Sequence, residues 1–270
     1  MEKVQSRDGT PIALDRYGQG PPIILVGGAF QHRAIDSETA QVAALLSSDL
    51  TVFHYDRRGR GDSGDRAPYA VEREIEDLAA LIGEAGGSAA VFGMSSGGVL
   101  GLEAARSLPI MKVAVYEPPF MVDEGGLRPP ADHQEQLTEL VASGRRGDAV
   151  EFFMTKVMGM PDEAVAPMRN APMWPALEGV APTLAYDSAV MGDFSLPADR
   201  LAGVAVPTLV INGGDTDPRL RRAGRALWAV LPDVQHRTLE GQTHRVAPEA
   251  LAPVLEKFFA SSDSMAAART

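Results

Sequence analysis

Short β-branched apolar runs alternate along this chain with longer stretches of helical periodicity, and that alternation limits the possible folds more than any other feature. The runs at 23–26, 51–55, 89–92, 113–116 and 208–211, with a weaker one at 237–239, read as strands. Helical patterns occupy 38–46, 71–84, 98–107, 222–231 and 248–259. Several runs lack polar alternation, as strands covered on both faces do. Parallel neighbours need a crossover and the helices supply one, so the order predicts a mostly parallel sheet between two helical layers, a three-layer α/β/α sandwich. Ahead of it, residues 4–17 turn at Asp8-Gly9 and read as an antiparallel hairpin on the sheet edge. From about Phe120 the chain becomes helical, Pro-punctuated and strand-free. The expected division is an α/β core at 1–119 and 198–260, a helical cap insertion at 120–197 over the C-terminal edge of the sheet, and a flexible tail at 261–270.

Composition narrows the chemistry. A chain of 270 residues buries roughly 70–75% of its unfolded surface, enough for one core without disulfides or a structural metal. It contains no Cys, which removes thiolate nucleophiles, disulfides and Cys-ligated metals together. Neither a cofactor nor a metal is expected. With 25 Lys+Arg against 36 Asp+Glu the formal charge is −11, which opposes nucleic acid and anionic membranes. Arg57, Arg58 and Arg60 form a basic cluster. No run approaches the roughly 18 apolar residues of a membrane span, and the first eight residues hold no apolar leader, so a soluble, cytoplasmic protein, monomer or homodimer, is expected.

After the strand at 89–92 come Gly93, Met94, Ser95, Ser96, Gly97 and Gly98, and a helical pattern follows at once. This is G-x-S-x-G, and its strand–turn–helix context gives the spacing its weight. A tight elbow needs small residues two before and two after the nucleophile, because a Cβ there would meet neighbouring backbone. Gly93 and Gly97 meet that need, so Ser95 is the candidate nucleophile. The competing readings are an ordinary β–α turn or a phosphate loop, but neither G-x-G-x-x-G nor the P-loop Gly-Lys-Ser/Thr accompanies it.

A serine hydroxyl needs a base, and five histidines are available. His54 lies in a strand, His133 in the cap and His236 at the foot of the last strand, where packing or solvation accounts for them. His244 follows the final strand and precedes the last helix, on the same sheet edge as Ser95, which makes it the candidate base. His32, in another edge loop, is the outside candidate. The orienting acid is ambiguous: Asp217 is favoured, with Glu117 and Asp215 as alternatives. Asp215 would otherwise cap the following helix, and Glu117 would satisfy amides of the Pro118-Pro119 turn. Oxyanion donors are expected from the N–H groups of Ser96 and of Ala29, the latter in the Gly27-Gly28-Ala29-Phe30 loop after the first parallel strand.

The order Ser95, acid, His244, with the oxyanion loop before it, resembles the α/β-hydrolase superfamily over nearly the whole chain, in particular small capped esterases, enol-lactonases and cofactor-free perhydrolases. Asp56-Arg57-Arg58-Gly59-Arg60-Gly61-Asp62-Ser63 is similar to the family's structural loop after the fourth strand, and the adhesion tripeptide Arg60-Gly61-Asp62 within it reads as coincidence. Two departures are visible. Gly27 stands where the family's oxyanion His is common, and the acid after the seventh strand is doubled, while some relatives carry theirs after the sixth, where Glu117 stands. The resemblance implies the α/β-hydrolase fold and acyl transfer on a small, largely apolar ester or lactone, with a small-molecule acyl substrate as the partner. C–C bond hydrolysis, peracid formation or ligand binding without hydrolysis are its alternatives. Gly28, Phe30, Phe120 and Trp174 are expected in the pocket. Eight methionines between Met111 and Met191, joined by Phe120, Phe152, Phe153 and Trp174, read mainly as the cap's own core, with only two or three facing substrate.

Overall fold

The computed structural model describes residues 1–123 and 128–260, so the expected tail at 261–270, and 124–127 within the expected cap, lie outside the described residues. Eight strands are seen among the described residues: β1 (Glu2–Gln5), β2 (Pro11–Tyr17), β3 (Pro22–Val26), β4 (Thr51–Tyr55), β5 (Ala89–Met94), β6 (Ile110–Tyr116), β7 (Thr208–Gly213) and β8 (Val234–Leu239). They form one sheet in the order β1-β2-β4-β3-β5-β6-β7-β8. β1 and β2 make the antiparallel edge hairpin, β2 pairs antiparallel with β4, and every pairing from β4 to β8 is parallel.

β3 and β5, the two middle strands, carry no polar side chain because both faces are covered. Ile23 and Leu25 of β3, with Phe92 and Ile211, pack on α1 (Ser37–Leu46) through Val42 and Leu46, and on the C-terminal helix through Leu251 and Leu255. Ile24 and Val26, with Val91, Val113 and Val210, face the other way, onto α2 (Val71–Glu84) and α3 (Ser96–Ala104) through Leu78, Leu81 and Leu100. Each such side chain contributes about 1.5–3 kcal/mol by leaving water. α1 starts where the Asp36 carboxylate accepts the Thr39 N–H at 3.0 Å.

Between β6 and β7 the chain carries α4 (His133–Ala142), α5 (Arg146–Phe152), a π-helical turn at Phe153–Val157, α6 (Asp162–Val165), α7 (Trp174–Val180), α8 (Leu184–Met191) and α9 (Ala198–Leu201). No strand occurs there among the described residues. α10 (Pro218–Val230) then joins β7 to β8, and α11 (Pro248–Ala260) is the C-terminal helix. Among the described residues no helix is long and apolar enough to cross a membrane.

The topology fixes where chemistry can occur. β3 pairs with β4 on one side and β5 on the other, so consecutive connections leave in opposite directions and open a crevice at the C-terminal ends of β3 and β5. The loop Gly27 to Phe30 follows β3, and Ser95 follows β5.

Candidate active site

Ser95 links β5 to α3 with φ 53° and ψ −124°, a conformation that costs a non-glycine residue about 1–3 kcal/mol. Its neighbours enforce it. The Ser95 N–H donates to the Tyr116 carbonyl at 2.8 Å, and the Ser95 carbonyl accepts the Gly98 N–H at 2.9 Å. A Cβ at position 93 would lie 2.4 Å from the Gly97 carbonyl oxygen, and one at 97 would lie 2.3 Å from that of Val26. Strain collects here: Phe30, Ser95, Glu117 and Phe194 are the non-glycine residues with positive φ among those described. Ser95 and Phe194 line one cavity, Glu117 contacts its histidine, and Phe30 follows a third lining residue, Ala29.

His244 lies in the loop after β8, and its Nδ1 is 2.7 Å from Glu117 Oε2. Glu117, just beyond β6 and fully buried, also accepts the Gly213 N–H at 2.8 Å on Oε1 and the Thr216 hydroxyl at 3.0 Å on Oε2. The Tyr116 hydroxyl donates to the Thr243 carbonyl and ties down the histidine loop. Ser95 and His244 open on the same cavity without a hydrogen bond between them; such pairs commonly tighten only around substrate.

Asp217, the favoured acid from sequence, does not reach the histidine. Its Oδ1 accepts the Arg219 N–H at 2.8 Å and caps α10, while Oδ2 takes the Arg219 guanidinium at 2.7 and 3.0 Å. Those bonds hold its carboxyl below the ordinary carboxylate range. The signal was present in the chain, since Asp followed by Pro is a helix start with Pro at the first helical position. Asp215 has an exposed side chain, and its N–H donates to Gln242. Of the three acids considered, the structure brings only Glu117 to His244.

The N–H groups of Ala29 and Ser96 donate to no group among the described residues, and both residues line the cavity. Ser96 opens α3, so its N–H adds the positive end of the helix dipole. The cavity measures about 350 Å³. Phe120 lines it as expected; Gly28, Phe30 and Trp174 do not. Gly28 is packed beneath Ser95, with room for no Cβ, and Phe30 meets Phe153 edge to face at 5.5 Å. Trp174 is buried within the helical segment, bonded to Glu178 at 3.0 Å. Met121, Met158, Met160 and Met191 line it together with Phe153 and Val157 from the π-helical turn, so four methionines face the site where two or three were expected. His32, His54, His133 and His236 stand outside it. A second groove of about 480 Å³, between α4 and α5, is lined by Glu139, Arg145, Asp148 and Arg169 among others and does not include Ser95.

The three arginines after β4 do not face the cavity. Arg58 is fully buried on Asp77 at 2.7 and 2.8 Å. Arg57 bonds Glu74 at 2.6 and 2.7 Å and Asp187 at 2.6 Å; Arg60 bonds Asp187 at 2.5 Å. With Arg60 only 2% exposed, the adhesion tripeptide is unavailable to a partner in this fold. Asp187, from α8, also lines the cavity and accepts the Ser96 hydroxyl at 2.8 Å. Burial alone would raise its carboxyl; Arg60, Arg57 and Ser96 outweigh burial and hold it below the usual range. Sequence reasoning missed Asp187, Glu74 and Asp77, although three arginines directly after a buried strand require buried counterions.

The model of the Alpha/beta hydrolase family matches residues 23–256. No curated protein matches the chain. An alpha/beta hydrolase from Sphaerobacter thermophilus DSM 20745 is 55% identical in its crystal structure, with a TM-score of 0.88 over 96% of this chain and 100% of that one. A thermophilic esterase from Thermogutta terrifontis (21% identity, TM-score 0.73, 96% and 97% covered) and the enol-lactonase from Burkholderia xenovorans LB400 (19%, 0.70, 96% and 100%) share the fold. On the span of the family match and the identity to the S. thermophilus protein, this chain belongs to the alpha/beta hydrolase family.

Proposed function

We propose that the chain is a serine hydrolase that cleaves small, largely apolar carboxylic esters or lactones through an acyl-enzyme. The observation that carries this reading is Ser95 on a strained elbow, opening on one cavity with a histidine whose other nitrogen is held by a buried carboxylate. Ser95 Oγ attacks the acyl carbon as His244 Nε2 takes its proton, and the carbonyl electron pair moves onto oxygen, where the Ala29 and Ser96 N–H groups receive it. Collapse expels the alkoxide, which His244 protonates. Water then attacks the acyl-enzyme by the same steps in reverse order. Glu117 keeps the histidine proton on Nδ1, so that the Nε2 lone pair faces Ser95.

The cavity supports the substrate class. Its volume of about 350 Å³ lies near the lower end of the about 300–1,000 Å³ of small-molecule sites, and its wall is mostly Met, Phe, Pro and Val. Arg57, Arg58 and Arg60 do not line it and are tied into ion pairs, and Arg219, which does line it, is held by Asp217, which disfavours polyanionic acyl donors. Esterase and enol-lactonase activities named for proteins of the same fold agree with this class. Labelling with an alkyl fluorophosphonate, read by intact mass, tests the reading. One adduct on the wild-type protein and none on Ser95→Ala is expected, together with loss of short aryl ester turnover by about 10⁴-fold or more. An unlabelled wild-type protein, or a Ser95→Ala variant of undiminished activity, would overturn it.

A further inference from the structure

The oxyanion loop is held from behind by an ionic cluster that never reaches the cavity except through Asp187. Gly28 and Ala29 share one trans peptide plane, in which the Gly28 carbonyl and the Ala29 N–H point in opposite directions. Whatever fixes the carbonyl therefore aims the N–H. Arg60 Nη1 donates to the Gly28 carbonyl at 2.6 Å, and to that of Gln31 at 3.2 Å. The rest of the guanidinium is clamped: Nη2 donates to Asp187 Oδ2 at 2.5 Å, and Nε to the Thr183 hydroxyl at 3.0 Å. Arg57 repeats the arrangement one residue earlier, with Nη1 shared between the Gly27 carbonyl at 3.3 Å and Asp187 Oδ1 at 2.6 Å. Asp187 Oδ1 also receives the Ser96 hydroxyl at 2.8 Å. One carboxylate from α8 thus ties down both segments whose N–H groups, those of Ala29 and Ser96, have no acceptor among the described residues.

We propose that Arg60, locked in place by Asp187, is a positioning residue that aims the Ala29 N–H into the oxyanion site. This rests on the acyl-transfer reading of Ser95. A charged donor on the Gly28 carbonyl also polarises the peptide, which strengthens its N–H as a donor just where negative charge develops. Lysine cannot replace it, because one ammonium cannot reach Gly28, Gln31, Asp187 and Thr183 from a single point. With Glu74 the cluster has two cations and two anions, all buried, so a variant that keeps this balance is available: Arg60→Met with Asp187→Asn leaves Arg57 paired with Glu74.

The test compares Arg60→Lys and the double variant Arg60→Met/Asp187→Asn with wild type. Wild-type labelling of Ser95 by the fluorophosphonate comes first, since its failure would sink the acyl-transfer reading itself. Removing one oxyanion donor costs about 10²–10³ in kcat, so misaiming one should lower kcat about 10- to 100-fold with KM within about threefold. In Arg60→Lys, whose altered side chain does not line the cavity, affinity for an aryl trifluoromethyl ketone, which Ser95 converts to a tetrahedral alkoxide, should fall by a similar factor, while affinity for the corresponding neutral alcohol stays unchanged. A purely structural cluster would not produce that split. A folded variant with kcat within about threefold of wild type, or equal losses for ketone and alcohol, overturns the inference. Failure of both variants to fold would assign the cluster to folding alone and overturn it too.

Discussion

Replacing Glu117 by Gln separates orienting acid from bystander. Three donors converge on this carboxylate: His244 Nδ1 at 2.7 Å, the Gly213 N–H at 2.8 Å and the Thr216 hydroxyl at 3.0 Å. A Gln amide offers one oxygen and one NH₂. If the oxygen faces Gly213, the NH₂ meets His244 and forces its proton onto Nε2, so no lone pair faces Ser95. If the oxygen faces His244, two N–H groups oppose each other at Gly213 in a fully buried site. The first outcome predicts a loss of about 10³–10⁴ in kcat, or about 4–5.5 kcal/mol of activation free energy. The second adds an unsatisfied donor worth about 1–3 kcal/mol, a drop in Tm of roughly 2–10 °C for a domain this size. Asp217→Asn is the control. Asn caps a helix as well as Asp, and an exposed ion pair with Arg219 contributes about 0–1 kcal/mol, so kcat should stay within about threefold. Steady-state kinetics on a short aryl ester, with Tm by calorimetry, measures both. A Glu117→Gln enzyme within about tenfold of wild type in kcat and with an unchanged Tm, or an Asp217→Asn enzyme more impaired than it, would refute the assignment.

Two further outcomes concern the scaffold. Gly97→Ala sets a Cβ 2.3 Å from the Val26 carbonyl and 2.5 Å from that of Gly27, both backbone, so β3 and the oxyanion loop must shift. Overpacking of this kind costs about 1–3 kcal/mol or more; Tm and kcat should fall together, and an unchanged Tm would contradict the packing described. Stability should decline on acidification in two stages. Burial depresses the pKa of His32, His54 and His236, so below about 6.5 the unfolded chain binds more protons than the folded one and stability falls. Asp187 and Glu74 are also depressed, with burial outweighed by Arg57 and Arg60, so their contribution is present above about 4 and is lost as pH falls through their folded values. Thermal unfolding across this range checks the sign, and a Tm higher at pH 5.5 than at 7.5 would contradict the first stage.

The architecture was legible because it depends on local regularities. Strand and helix periodicities, with the crossover requirement of parallel strands, gave the sheet, and the sheet gave its C-terminal edge as the place for loops to meet. The elbow was legible because two glycines at fixed spacing flank Ser95: Gly93 answers a demand made by the turn itself, and Gly97 one made by the end of β3. His244 followed from topology, as the histidine of the last loop on that edge.

What the sequence left open was decided by contacts between residues far apart in the chain. Asp217 and Glu117 stand on adjacent strand ends, and only their three-dimensional partners separate them. Asp217 is occupied by the helix it caps and by Arg219, whereas Glu117 is buried where Gly213, Thr216 and His244 converge. Trp174 and Phe120 are both large aromatics of the same stretch, yet packing put one inside the helical segment and the other on the cavity wall. The link from Asp187 through Arg60 to Gly28 spans residues more than 120 apart, with no periodicity or motif to announce it. Sequence alone determined the sheet, the elbow serine and its histidine, because backbone sterics and hydrophobic periodicity act locally. Tertiary structure decided which carboxylate meets His244, the cavity wall and the charges behind the loop from Gly27 to Phe30, because a buried charge is placed by whichever partners the fold brings within hydrogen-bond distance.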